Sequence, residues 1–156
     1  MSPAPPDCVV DASVGIKLFL AEPLSDEAHA LFAHLAADPP ARFHVPDLFY
    51  IECANIFWKY VRRLGLAAAD ARIYVEQLGQ VALHSTPTAE LAAGALEIAL
   101  AQDLTAYDAA YVALSQRLGL PLITADEPLA RALTEAPFHV HWLGAYPIPP
   151  LPSGQT

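Results

Sequence analysis

Short runs of apolar and β-branched residues alternate along the chain with longer stretches in which apolar residues recur at helical spacing. The short runs are typical of strands buried in a parallel sheet, and the longer stretches are typical of helices that cover such a sheet. Strands are predicted at CVVD near residue 8, FHV near 43, VALH near 81, LITA near 122 and FHVHWL near 138. This alternation predicts an α/β fold built on one parallel five-stranded sheet.

Between the strands the pattern predicts helices, most of which have an oxygen-bearing residue at the N-cap or a proline in the first turn. They are expected to begin near Ser13, Ser25, Asp47, Ala68, Thr88, Ala106 and Glu127. Helices on both faces of the sheet make a three-layer α/β/α domain over residues 1–144. The prolines of SPAPPD and of residues 145–156 predict extended or loose ends, the second forming a C-terminal tail.

The order of the strands in the sheet determines where a ligand-binding or catalytic site can form. Doubly wound sheets commonly have the order 3-2-1-4-5, which makes strands 1 and 4 neighbours, and ligands bind at the carboxyl edge where they meet. The first predicted strand ends in Asp11, and the fourth ends one residue before Asp126. The topology therefore predicts that these two carboxylates lie close together.

Two further acids lie on predicted helices. Asp108 occurs in TAYDAAYVALS, three residues after Thr105, at the start of a helix. Glu52 lies on the helix from Asp47 to Arg63, which is apolar around most of its circumference and is therefore expected to be largely buried. The polar residues of that helix form one narrow stripe, made of Glu52, Asn55, Lys59 and Arg63.

Each acid also has an ordinary structural interpretation. Asp11 and Asp126 are suited to the N-cap position, and Thr105 with Asp108 and Thr124 with Glu127 both match a capping box. Glu52 would then belong to a solvated stripe. Capping and ligand binding are compatible, because a carboxylate held at a helix start can direct its second oxygen into a cleft.

If the four carboxylates met without a counterion, each pair about 4 Å apart would repel by about 4 kcal/mol at an effective dielectric constant of about 20. Such a cluster either takes up protons or binds a cation. Ligand sets of oxygen atoms alone favour the hard ions Mg²⁺ and Mn²⁺. The sequence therefore predicts a site for Mg²⁺ or Mn²⁺ at the carboxyl edge of the sheet.

Composition limits the kinds of partner. The chain has 8 Lys and Arg against 17 Asp and Glu, a net charge of −9, which argues against binding nucleic acid through a broad basic face. It contains no apolar stretch of transmembrane length, and MSPAPPDCVV lacks the order of a signal peptide, so we expect a cytoplasmic protein. Cys8 and Cys53 lie in apolar runs without a CxxC partner and are expected to be buried and reduced.

The segments VVDASV, IECANIFWK, TAYDAAYVALS and LITADEPLA, in this order, resemble the motifs of PIN-domain nucleases, and most closely those of VapC-like toxins of bacterial toxin–antitoxin pairs. The resemblance extends from Cys8 to about Leu143. It implies a compact PIN-like α/β/α fold, Mg²⁺ or Mn²⁺ at the acidic site and endonucleolytic cleavage of RNA. It also implies a homodimer and an inhibitory antitoxin, and we expect a basic segment of that antitoxin to place an arginine among the acids.

The resemblance also suggests roles for individual residues. Asp11, Asp108 and Asp126 would be direct metal ligands in a metal-assisted phosphodiester hydrolysis, and Glu52 would bind through water or act as the base. Residues matching the family's accompanying polar positions are Ser13, Thr105, Thr124, Asn55 and Lys59. The basic residues near the end of the Glu52 helix, Lys59, Arg62 and Arg63, would contact phosphate or simply be solvated.

Three other functions remain open from the sequence. A receiver-like signalling module requires an acidic pair after strand 1 and a lysine near the end of strand 5, whereas Asp11 stands alone and no lysine follows Lys59. A metal-free ribonuclease would need a histidine pair such as His139 and His141, and chelation would distinguish it. A non-catalytic PIN-like scaffold is disfavoured because all four acids are present.

Overall fold

One parallel sheet of five strands lies at the core of the computed structural model, which describes residues 3–135 and 137–153. The strand order is β3-β2-β1-β4-β5, as predicted, and every neighbouring pair is parallel. The strands are β1 (Asp7–Val10), β2 (Arg42–Pro46), β3 (His84–Thr86), β4 (Leu122–Thr124) and β5 (Val140–Trp142). β1 and β4 are the central neighbours, and their closing residues are fully buried.

The predicted helices are all present, and each begins within one residue of its predicted start. They are α1 (Ala12–Gly15), α2 (Ser25–Phe32), α3 (Leu48–Arg63), α4 (Ala68–Leu78), α5 (Thr88–Gln102), α6 (Ala106–Leu118) and α7 (Glu127–Ala132). Short 3₁₀ turns cover Ile16–Leu18 and Ala33–Ala36. None of the helices in the described ranges is long and apolar enough to cross a membrane.

The third strand lies three residues later than predicted. The apolar run VALH marks the connection after α4, in which Val81 and Leu83 are half-buried and pack against the core. The strand itself is His84–Thr86, which pairs with β2 at the edge of the sheet and leaves His84 and Ser85 exposed. An edge strand with exposed polar residues lacks the apolar signature of a buried strand, so the prediction followed the neighbouring apolar residues.

Helix α1 approaches α3 closely, which brings the end of β1 near the helix that carries Glu52. Gly15 makes this approach possible, because a Cβ atom there would lie 2.6 Å from Cζ of the Phe49 ring. Phe49 is itself fully buried and has little room to move. A residue without a side chain is thus required where the two helices meet.

The expectation that α3 is largely buried is wrong for this chain on its own. Its buried side chains are Phe49, Cys53 and Phe57, whereas Ile51 and Trp58 are exposed. The helix packs against α1 and α4 on one side, and the described residues leave its other side open to solvent. Cys53 and Cys8 are buried and unbridged, as predicted.

The C-terminal segment has no regular secondary structure after β5, as predicted, but it is not loose. His34 is buried, and its Nε2–H donates a hydrogen bond of 2.8 Å to the carbonyl oxygen of Pro149. Tyr146 and Ile148 pack against the core. Residues 146–149 therefore contact the rest of the domain, whereas residues 154–156 of the predicted tail lie outside the described residues, as do residues 1–2 and 136.

Candidate metal centre

Asp11 and Asp126 lie at the carboxyl edge where β1 meets β4. The backbone N–H of Asp11 donates to the Ile123 carbonyl at 3.0 Å, which continues the β1–β4 pairing by one residue. Thr124, the last residue of β4, then connects the two acids: its Oγ1 donates to Asp11 Oδ2 at 2.9 Å and accepts the Asp126 N–H at 3.0 Å. The strand order thus produces the juxtaposition that the sequence predicts.

Ser13 makes a second connection between β1 and the loop after β4. Its Oγ donates to Asp11 Oδ2 at 2.7 Å and accepts the Ala125 N–H at 3.0 Å. Both hydroxyl bonds to Asp11 therefore end on Oδ2, and Oδ1 takes neither. Asp11 occupies the N-cap position of α1, as the structural interpretation predicts, but its side chain makes no capping hydrogen bond.

Asp126 does act as an N-cap, because its Oδ1 accepts the Leu129 N–H of α7 at 3.0 Å. The alternative capping box between Thr124 and Glu127 is wrong, since the Thr124 hydroxyl is engaged by Asp11 and by the Asp126 backbone. Asp126 is solvent-exposed. It therefore combines a helix cap with an open position at the edge of the site.

Asp108 lies at the start of α6, near enough to Asp11 and Asp126 for their charges to raise its pKa. Its N–H donates to Thr105 Oγ1 at 3.2 Å, so the hydroxyl half of the predicted capping box is present. The carboxylate is half-buried. Thr105 thereby holds the first turn of α6 in the conformation that presents Asp108.

Glu52 is half-buried on α3 and is held by Tyr111, a residue that the sequence pattern does not single out. The hydroxyl of Tyr111 on α6 donates to Glu52 Oε1 at 2.7 Å, and Tyr111 is almost fully buried. A buried tyrosine hydroxyl usually has a hydrogen-bond partner, which is the signal that would have drawn attention to it. Asn55 and Lys59 lie further along α3 and are exposed, so their roles stay predictions.

The pKa values show that the acids influence one another. Burial raises the pKa of Asp11, and the charge of Asp126 adds to the effect while the Ser13 and Thr124 hydroxyls oppose it. Burial is also the main cause that raises the pKa of Glu52 to about 7 and that of Asp108 to about 6, and the charge of Asp11 contributes to both. The charge contributions are smaller than the effect of burial, but they indicate that Asp11 lies near each of the other three carboxyl groups.

The donor set fits Mg²⁺ bound through few direct ligands. In the described part of the chain, no group of three or more acidic, histidine or cysteine side chains is placed so that it could hold a metal ion. However, one oxygen of each of three acids is already held: Oδ2 of Asp11, Oε1 of Glu52 and Oδ1 of Asp126. The other oxygen of each takes none of these bonds. Mg²⁺ keeps several waters and needs only one or two carboxylates, so an open acidic cluster suits it, and the identity of the direct ligands stays a prediction.

The histidines of the alternative metal-free mechanism are placed differently. His139 lines a cavity with Val112 and Phe138, whereas His141 lines a separate cavity with Arg131. His141 packs edge-on against Tyr146, with ring centroids 5.5 Å apart. The two side chains therefore do not converge on one cavity as a catalytic pair would.

Known proteins provide an independent comparison. A family model described as the PIN domain matches residues 8–133. Ribonuclease VapC3 of Pyrobaculum aerophilum is 37% identical over 124 residues, which cover 78% of this chain and 91% of that protein. Ribonuclease VapC9 of Mycobacterium tuberculosis is 35% identical over 118 residues, covering 76% of this chain and 84% of the relative.

Two solved structures share the fold. PAE2754 from Pyrobaculum aerophilum superposes with a TM-score of 0.63 and 22% sequence identity, over 89% of this chain and 90% of that chain. A toxin–antitoxin complex from Klebsiella pneumoniae gives a TM-score of 0.58 and 18% identity, over 86% of this chain and 95% of that chain. At these identities the likeness concerns the arrangement of helices and strands.

Proposed function

The chain belongs to the PIN-domain family, and on that premise we propose that it is a Mg²⁺- or Mn²⁺-dependent endoribonuclease, the toxin of a toxin–antitoxin pair. The proposal is supported by the connection of Asp11 with Asp126 through Thr124 and by the charge of Asp11, which acts on both Glu52 and Asp108. The ribonuclease names of its relatives support the choice of RNA as substrate. A cytoplasmic location, where RNA and a partner protein are available, is part of the proposal.

Following the resemblance, we expect Asp11, Asp108 and Asp126 to be the direct metal ligands, and their side chains would have to move together to reach one ion. A bound Mg²⁺ supplies charge stabilisation at the phosphate oxygens and activates water for in-line attack on phosphorus. Glu52 either contacts the ion through water or accepts the proton of the attacking water. The hydroxyls of Ser13 and Thr124 orient the Asp11 carboxylate by holding Oδ2.

The direct test is cleavage of an unstructured RNA by the purified full chain with Mg²⁺, after chelation, and after Mg²⁺ is restored. We expect internal cleavage that stops on chelation and returns with the ion. Cleavage that survives chelation would support a metal-free mechanism instead. Absence of cleavage with either Mg²⁺ or Mn²⁺ would leave a PIN scaffold that binds without catalysis.

We further propose that an antitoxin with a basic segment inhibits the site, with an arginine placed among the acids. A guanidinium matches clustered carboxylates in charge and geometry and would take the place of the ion. The likeness to a toxin–antitoxin complex from Klebsiella pneumoniae supports the existence of such a partner. If all arginines of a copurifying antitoxin can be changed to alanine without restoring RNA cleavage, inhibition works in another way.

A homodimer is the remaining part of the proposal. An apolar groove of about 480 Å³ lies between α3 and α4, and Trp58 and Ile73 on its walls are exposed. A self-complementary apolar face is most simply covered by two-fold association. Light scattering at micromolar concentration should give twice the mass of the chain, and a stable monomer would contradict this.

A further inference from the structure

An open cavity adjoins the acidic cluster and is not used by the proposed metal chemistry. It has a volume of about 370 Å³ and is lined by Ile51, Glu52, Asn55 and Tyr107. This volume lies within the range of about 300–1,000 Å³ that is usual for small-ligand pockets. Glu52 belongs both to the cavity and to the cluster, and Tyr107 immediately precedes Asp108, so a group bound in the cavity would lie next to the reaction centre.

The walls of the cavity favour a flat, uncharged group. The Tyr107 side chain on α6 is 67% exposed and Ile51 on α3 is 71% exposed, so an aromatic ring and an aliphatic side chain both face solvent. The exposed amide of Asn55 adds a donor and an acceptor at the rim. The lining contains no Lys or Arg that could pair with a phosphate.

We propose that this cavity binds an unpaired nucleobase of the RNA substrate, stacked on the ring of Tyr107, with the amide of Asn55 at the edge of the base. The inference rests on the proposed ribonuclease function and adds to it a base-binding position beside the scissile phosphate. The phosphate and the base of one nucleotide would therefore bind at two different places. The phosphate goes to the cation among the acids, and the neutral base goes to the cavity.

The charge of the molecule also favours binding through a base. Proteins that bind RNA through Lys and Arg gain affinity by releasing counterions. This chain has 17 acidic residues and only 8 basic ones, so it has few residues for that mode of binding. Single-stranded RNA can instead be held by stacking its bases on aromatic side chains, which depends on the π-face and not on charge. An exposed tyrosine beside the acids provides that contact where basic residues are scarce.

The test compares Tyr107→Ala with Tyr107→Phe, which keeps the ring, and with Leu100→Ala, which shortens an exposed apolar side chain on α5. Binding of a short labelled single-stranded RNA is measured by fluorescence anisotropy with Ca²⁺ in place of Mg²⁺, and cleavage is measured with Mg²⁺. We expect Tyr107→Ala to raise Kd by about 5- to 150-fold, the range for one stacked base. KM should rise accordingly, whereas Tyr107→Phe and Leu100→Ala should stay close to the parent protein.

The outcomes separate this inference from the function on which it rests. A parent protein that cleaves RNA, with Tyr107→Ala equal to it in Kd and KM, would overturn the base pocket and leave the ribonuclease intact. A parent protein that binds RNA through Tyr107 without cleaving it would retain the pocket and overturn the catalytic proposal. If Tyr107→Ala changes the mass in light scattering but not the RNA affinity, the cavity is a protein interface and the inference is wrong.

Discussion

Tyr111 controls how Glu52 is presented, because its buried hydroxyl is the donor to Oε1. Tyr111→Phe removes that donor while preserving the packing of the ring. The hydrogen bond lowers the pKa of Glu52, so without it the pKa should rise above its value of about 7. We expect the pH profile of RNA cleavage to move towards higher pH and Mn²⁺ to bind more weakly, as measured by electron paramagnetic resonance.

Tyr60→Phe is the matched control for this variant. The Tyr60 hydroxyl donates to Glu22, a tyrosine–carboxylate bond away from the acidic cluster. Both variants should lose about 1 kcal/mol of unfolding free energy, the usual contribution of one hydrogen bond. Only Tyr111→Phe should change the pH profile, and an unchanged profile would show that Tyr111 serves packing alone.

Some contacts of the site can be predicted from sequence and others cannot. The proximity of Asp11 and Asp126 follows from the strand order. Asp11 directly follows β1, Asp126 lies two residues after β4, and these two strands are neighbours. The Tyr111–Glu52 bond joins residues 59 positions apart on two helices and depends on how α3 and α6 face each other. The sequence pattern predicts where each helix lies along the chain. It does not predict how each helix is rotated about its own axis, which decides that these two side chains face each other.

The approach of α1 to α3 can be tested at Gly15. Gly15→Ala would place a Cβ atom 2.6 Å from the buried Phe49 ring, so one of the two helices has to move. Overpacking of this kind typically costs about 1–3 kcal/mol. Chemical denaturation should show a loss of that size, and Mn²⁺ affinity should fall because Asp11 and Glu52 are displaced from each other.

Gly94→Ala is the control for helix propensity. Gly94 lies inside α5, and a Cβ atom there would meet Ala113 Cβ at 3.9 Å, an ordinary van der Waals contact. Replacing a glycine inside a helix by alanine should stabilise the protein by about 0.5–1 kcal/mol. If Gly15→Ala were equally stabilising, close packing of α1 on α3 would not be what positions the acids.

Sequence patterns are sufficient to predict where the helices begin, but not which of their residues are buried. The helix starts are marked by capping residues such as Thr105 and Asp126, whose side chains make the predicted bonds to backbone N–H groups. The apolar pattern of a helix does not show which of its side chains are buried. Ile51 and Trp58 follow the apolar pattern of α3, yet they are exposed, because one helix face is enough to fill the core.

For the whole molecule, the raised pKa values predict how stability depends on pH. Because the folded-state pKa values of Glu52 and Asp108 exceed their unfolded values of about 4, the folded protein binds protons more strongly. Their contribution to the free energy of unfolding is fully present below about pH 4. It is lost as the pH rises through about 6 for Asp108 and about 7 for Glu52. After discounting for solvent screening, the loss should be on the order of 1 kcal/mol without divalent cation.

Thermal unfolding with chelator and with Mg²⁺, at acidic and at slightly alkaline pH, measures this effect. Mg²⁺ binds the ionised carboxylates, so it should raise Tm more at the higher pH. The double variant with Glu52→Gln and Asp108→Asn should lose most of this difference. A parent protein whose stability without metal rises from pH 4 to 7 relative to that variant would contradict the assigned pKa shifts.

We propose that Asp11 serves the metal site and not the fold, and RNA cleavage and unfolding of Asp11→Asn, measured beside the parent protein, distinguish these two roles. Burial disfavours the ionised carboxylate, and an asparagine oxygen can still accept the Ser13 and Thr124 hydroxyls. We predict that Mg²⁺-dependent cleavage is abolished while the unfolding free energy without metal is unchanged or higher. Full activity with a sharply lower Tm would show instead that Asp11 is a structural residue.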